Sequence, residues 1–159
     1  MTAWNITLKE MMLLTVVAIG MALLVNSLSP NGIALMTPPS ADGVPDEVAG
    51  FPVVDFQAVK NLIESGTCIF ADARPADAYA EGHLPGAVSM PVYEIEDYIF
   101  SFLDTYATDM TIITYCSGIN CTDSHFLSEE LAAAGYEDIR IFAEGMEKWQ
   151  QEGMPVEKQ

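Results

Sequence analysis

Basic side chains are the scarcest feature of this chain. Six Lys and Arg stand against 23 Asp and Glu, a net charge of -17 over 159 residues. A nucleic-acid binder needs a cationic footprint to displace counterions from phosphates, so that class is excluded. A polybasic contact with anionic lipid headgroups is disfavoured for the same reason. Cysteine is scarce too. Three residues, Cys68, Cys116 and Cys121, do not make a disulfide scaffold. Two histidines, His83 and His125, leave few general bases or metal ligands to consider. Charge of either sign is missing altogether between Glu10 and Asp42. Hydrophobic residues nevertheless make up 50% of the chain, which rules out a disordered protein.

The uncharged stretch contains MMLLTVVAIGMALLV at residues 11–25. A helix over residues 11–28 is about 27 Å long, close to the ~30 Å hydrocarbon core of a bilayer. It is apolar all round, whereas a core helix of a soluble domain needs one face for a partner and one for water. The segment reads as an uncleaved single-pass anchor, with Trp4 near one interface. A cleaved signal peptide is the alternative; Glu10 offsets Lys9 in its basic region, and its small-x-small motif is Gly32-Ile33-Ala34. Lys9, the one basic residue near the span, favours an internal N-terminus and an extracytoplasmic domain. Cleavage would instead give a secreted or periplasmic protein. Residues 1–36 are thus the anchor or signal segment. Residues 37–50 (TPPSADGVPDEVAG) are a linker by composition, and residues 51–157 form one domain.

Within that domain, helical and strand patterns alternate. Asp55 is placed to cap a helix presenting Phe56, Val59, Leu62 and Ile63 on one face, with Gly66 as its stop. Residues 67–71 read as a buried strand containing Cys68, a core residue. Pro75 starts a short helix, residues 87–90 form a strand, and residues 93–105 are helical. MTIITY at residues 110–115 is the strongest strand signal, rich in β-branched side chains. A helix over 124–134, a strand over 139–142 and a helix over 146–152 follow. This order predicts an α/β domain with a parallel sheet covered on both faces. Sites in such sheets form at the carboxyl ends of the strands.

Cys116 directly follows the MTIITY strand, and the loop Ser117-Gly118-Ile119-Asn120-Cys121-Thr122 joins it to the next helix. Successive backbone N–H groups in such a turn, with the positive end of the helix, favour a thiolate over a thiol. A buried structural cysteine is the bland reading; the position of Cys116 at a strand end in a Gly-containing loop speaks against it.

Several segments together resemble the rhodanese family of sulfurtransferase domains. They are Asp72-Ala73-Arg74, the run from Tyr79 through Glu81, Gly82, His83, Leu84, Pro85 and Gly86 to Ala87, then Met90-Pro91. The strand-Cys116-loop-helix unit follows, and then Glu144-Gly145-Met146-Glu147-Lys148-Trp149 with Gly153, Pro155 and Val156. The resemblance implies a three-layer domain with a central parallel sheet of about five strands. It implies that Cys116 takes a sulfane sulfur as a persulfide and passes it on, cradled by the loop backbone from Ser117 to Thr122. A sulfur donor and a thiol acceptor, small molecule or protein, are the implied partners, with the membrane contacted through residues 11–28. No cofactor or metal is implied. Asp72 and Arg74 read as a supporting charged pair, His83 as a structural hydrogen-bonding residue, and Gly145 and Trp149 as fold-defining. His125 reads as an exposed helix residue.

Two features depart from the family pattern. The loop carries no Arg or Lys, so an anionic donor such as thiosulfate finds no cationic partner there. Thr122 stands where related dual-specificity phosphatases place a phosphate-gripping arginine. In addition, Cys121 lies five residues after Cys116. It reads either as a resolving thiol or as a side chain packed beneath the loop. With His125 these cysteines offer three ligands, one short of a structural zinc. A redox protein cycling a Cys116–Cys121 disulfide and a non-catalytic binding module are the alternatives to sulfur transfer.

Overall fold

The computed structural model describes residues 7–28 and 45–159. Trp4, the Gly32-Ile33-Ala34 motif and residues 37–44 of the expected linker lie outside them. The chain divides into two compact units, residues 1–38 and 39–159. In the first, α1 (Leu8–Leu28) is a single helix. Residues 8–26 of it are long and apolar enough to cross a membrane, and none of that span is buried. A membrane span and a signal sequence both meet this test.

The second unit begins with a feature that the composition hides. The last four residues of the expected linker belong to a hairpin, β1 (Glu47–Val48) paired antiparallel with β2 (Phe51–Pro52). Its turn residues Ala49 and Gly50 have φ of 50° and 89°. Positive φ at both central positions matches the right-handed twist of the flanking strands. Glycine takes that conformation freely and alanine at a cost, which is why Ala-Gly is a weak hairpin signal.

There follow α2 (Phe56–Ser65), β3 (Ile69–Asp72), α3 (Ala76–Glu81), β4 (Val88–Ser89), a 3-10 turn (Val92–Glu94), α4 (Ile95–Thr105), β5 (Thr111–Tyr115), α5 (Asp123–Ala133), β6 (Asp138–Phe142) and α6 (Gly145–Gln151). The ends of α2 obey the capping rules: Asp55 accepts from the Ala58 N–H at 2.7 Å, and Gly66 closes the helix at φ 61°. Strands β4-β3-β5-β6 form one parallel sheet. It has four strands; at the place of a fifth, the chain makes only an isolated parallel bridge, Val53 to Ile141. Pro52 has no N–H to give a ladder, which keeps this contact to a single bridge.

Alternation along β5 assigns its side chains to two cores. Ile113 and Tyr115 join Val59, Phe70, Phe142 and Trp149 on one face, and Ile112 and Cys116 join Phe102, Leu127, Leu131 and Ile139 on the other. Helices thus cover both faces, giving the three-layer α/β arrangement that the resemblance implies. Register decides where the site lies. Asp72 at the end of β3 pairs with Tyr115 at the end of β5, so the residues after both strands emerge at the same edge.

Candidate functional site

Cys116 continues the β5 alternation and points into the core shared with α5; it is 1% exposed. Its sulfur has four polar neighbours, one of them the Cys121 thiol. The thiol donates to the Cys121 carbonyl at 3.4 Å and approaches the Gly118 carbonyl at 3.9 Å. The Ser124 hydroxyl donates to the sulfur at 3.5 Å. The Ser117 and Asp123 backbone favours the anion on Cys121, against its burial, so two sulfurs share one loop. Burial, followed by the bond to the Cys116 thiol, pushes the Cys121 thiol up to about 11. All three cysteines are free thiols.

Ser124 is the site residue that sequence reasoning passed over. It lies in the first turn of α5, is 3% exposed, and is held by a buried polar chain. Ser128 donates to the Ser124 carbonyl at 2.8 Å and shares a 2.8 Å bond with the Thr114 hydroxyl. Its only sequence signal is two serines four apart on the helix after the loop, which lie on the same face.

The loop is pinned from below by α6. The Met146 and Glu147 N–H groups donate to the Cys116 and Ser117 carbonyls at 3.0 and 2.8 Å. This close approach is possible because residue 145 is glycine at φ 57°; a Cβ there would collide with the Cys116 carbonyl oxygen. Gly145 therefore belongs to the loop's support as well as to the fold. Cys121 N–H closes the loop onto the Gly118 carbonyl at 2.9 Å. Ser117, Ile119, Asn120 and Thr122 are exposed, while Gly118 is buried.

Asp72 and Arg74 are brought to the same edge but are already spent on each other. Arg74 Nε and Nη2 reach the two Asp72 oxygens at 2.9 and 2.6 Å, and Nη2 also donates to the Gly82 carbonyl at 2.8 Å. Burial opposes the guanidinium charge, but the Asp72 bond and charge overcome it and hold Arg74 above its ordinary value. Burial, then the Asp72 carboxylate, pushes the neighbouring Tyr115 phenol far up. An open cleft of about 590 Å³ beside the loop is lined by Arg74, Ser117, Met146, Glu147, Gln150 and Gln151. Its one cation is the paired Arg74, so an anion gains little there.

The remaining candidates sit elsewhere. His83 is buried, stacked on Tyr79 with ring centroids 3.7 Å apart, and bonded through Nδ1 to the Tyr79 carbonyl at 2.9 Å. His125 is partly buried rather than exposed: α5 packs its ring edge inward, and Nδ1 is buried without a partner. Cys68 lies just before β3 rather than within it, against the core that holds Trp149, and burial pushes its thiol up to about 11. Among the described residues, no group of three or more His, Cys, Asp and Glu is arranged to hold a metal.

Comparison with known proteins agrees with this architecture. The rhodanese-like domain family model matches residues 55–152, more than half of the chain. An HTH-type transcriptional regulator of Mycobacterium tuberculosis is 30% identical over 95 residues, which cover 60% of this chain and 40% of the regulator. The thiosulfate sulfurtransferase GlpE of Actinobacillus succinogenes is 28% identical over 98 residues, 61% of this chain and 82% of that enzyme. A solution structure of a rhodanese-like domain from Anabaena superposes with a TM-score of 0.57 at 27% identity, covering 68% of this chain and 80% of that one. The chain thus spans well under two thirds of the regulator's length. It belongs to the rhodanese-like domain family, whose chemistry pairs a sulfur donor with a thiol acceptor.

Proposed function

We propose that this rhodanese-like chain is a membrane-anchored sulfurtransferase or persulfide carrier in which Cys116 is the nucleophile. The observation that carries the reading is the placement of Cys116: at the end of β5, in a loop pinned by α6, with the Ser124 hydroxyl directed at its sulfur. A hydroxyl donor stabilises a thiolate, and the thiolate is the attacking form. Cys116 thiolate attacks the sulfane sulfur of a persulfide R–S–SH and expels R–S⁻, leaving Cys116–S–SH. An acceptor thiolate then attacks the outer sulfur and returns the Cys116 thiolate. The loop backbone from Ser117 to Thr122 surrounds the transferred sulfur.

A neutral or protein-bound persulfide suits this site better than thiosulfate. The loop has no Arg or Lys, Arg74 is neutralised by Asp72, and the net charge is -17. A dianion is repelled and finds no bidentate partner. The span in α1 supports anchoring, and Lys9 supports a domain on the extracytoplasmic side. Expressed full-length, the chain should sediment with membranes, and that fraction should move sulfur from the uncharged persulfide of mercaptoethanol to cyanide. Thiosulfate should be the poorer donor, improving as salt screens the repulsion. Turnover that survives in Cys116→Ser contradicts the assignment, and a full-length chain that stays in the supernatant contradicts the anchor.

A further inference from the structure

Cys121 lies five residues from Cys116, at the far end of the same loop, and the two thiols are not equally reachable. Cys116 is 1% exposed, with its sulfur 3.4 Å from the Cys121 carbonyl. Cys121 is partly exposed, and its side chain packs against the cluster that contains Cys116. The loop turns back on itself through the Cys121 N–H to Gly118 carbonyl bond of 2.9 Å, which brings the second cysteine to the first. We propose that Cys121 is the resolving thiol of this site, attacking the Cys116 persulfide from within the loop so that the chain releases hydrogen sulfide. The proposal rests on the reading of Cys116 as the persulfide-forming residue.

The step balances without an outside oxidant. The Cys121 sulfur attacks the inner sulfur of Cys116–S–SH, the Cys116–Cys121 bond forms, and the S–SH bond breaks. The departing hydrosulfide takes the Cys121 proton and leaves as hydrogen sulfide. The persulfide sulfur is reduced and the two cysteines are oxidised. An external dithiol then reduces the disulfide by exchange, becoming a disulfide itself.

Three features of the loop favour this route. Cys121 is already beside the Cys116 sulfur, whereas an external acceptor has to dock first, and intramolecular placement is worth several orders of magnitude in effective concentration. The Ser117 and Asp123 backbone favours the Cys121 anion and so eases its formation during attack. In the resting protein, burial holds Cys121 protonated, so it leaves the donor to Cys116.

The test uses the full-length chain, reduced, freed of reductant, and given one equivalent of glutathione persulfide without oxygen. The wild type should lose about 2 Da, carry a Cys116–Cys121 cross-linked peptide and release about one equivalent of sulfide. Cys121→Ser and Cys121→Ala should instead gain about 32 Da on Cys116 and, with only the one equivalent of glutathione left by loading, release almost no sulfide until excess thiol is added. A wild-type chain that holds the added sulfur without releasing sulfide overturns the proposal and leaves the transfer reading intact. If neither the wild type nor the variants take up sulfur or release sulfide, the transfer reading falls and this proposal falls with it.

Discussion

Two adjacent strands end at one edge of the sheet, in register, with opposite chemical outcomes. At the end of β3, Asp72 and Arg74 saturate each other: a two-point ion pair, a further bond to the Gly82 carbonyl, and an Arg74 N–H to Asp72 bond at 3.0 Å. At the end of β5, Cys116 meets two carbonyls and a hydroxyl, none closer than 3.4 Å, and the Cys121 thiol. A charge-assisted bidentate pair is among the strongest side-chain interactions, and a sulfur contact at such distances is among the weakest. One strand end is therefore a clamp, and the other holds a sulfur whose bonding capacity is little used. Both are buried, so burial alone does not distinguish them. The difference lies in how much of each group's bonding capacity the fold has already used.

The sharpest way to break that comparison is to open the clamp. Arg74→Met leaves the Asp72 carboxylate, 0% exposed, without its partner. Removing one member of a buried pair costs about 3–5 kcal/mol, most of it the unpaired charge. Urea titration should show a loss of that order, while the variant that remains folded should still load sulfur on Cys116. Unchanged stability would mean that water reaches Asp72 and that the pair is no clamp.

A smaller effect is expected at the β5 end. Ser124→Ala removes the hydroxyl donor to the Cys116 sulfur and leaves the helix intact. A single weak bond of about 1 kcal/mol corresponds to roughly a fivefold slower loading by a persulfide donor. Stability should change little, because Ser128 bonds the backbone carbonyl of residue 124 and not its side chain. Equal loading rates for wild type and Ser124→Ala would remove the hydroxyl from the mechanism.

The smallest effect concerns the cysteine outside the loop. Burial raises the Cys68 thiol to about 11, against an opposing influence from Arg140. The folded state thus favours the neutral thiol more than the unfolded chain does. That contribution is complete below the unfolded value of ~9 and is lost as pH climbs toward 11. Cys68→Ser should flatten the fall in the urea midpoint between about pH 9 and 11, the span of the two values. An unchanged slope would assign the fall to other groups, Cys121 among them.

Much of this arrangement is legible in the sequence where local chemistry acts alone. The caps at Asp55 and Gly66, the helical period between them and the β-branched run of β5 all depend on near neighbours, and the structure has them within a residue or two. The Cys116 loop is legible because a strand, a glycine-containing turn and a helix follow one another directly. Ser124 is not, because a serine in a first helical turn points at a sulfur only once α5 has docked against β5. Gly145 reads as a fold residue until tertiary contact places it under the Cys116 carbonyl. The hairpin at residues 47–52 hides inside a Pro- and Gly-rich stretch, and the fifth strand shrinks to one bridge beside Pro52. For Gly145 and the Val53 bridge the deciding partner is far away in sequence, whereas Ser124 meets a sulfur only eight residues back, and only once the helix has docked.

The central claim is that reactivity toward sulfur belongs to the β5 end and to no other thiol. Peptide mass spectrometry of the full-length chain after limiting glutathione persulfide tests it most directly, with all three cysteines read in one digest. Sulfur, or the disulfide it leaves behind, should appear on the Cys116–Cys121 loop and be absent from Cys68. Cys116→Ser should show no persulfide at all. Added sulfur on Cys68, or on Cys121 in Cys116→Ser at the wild-type level, would contradict that claim.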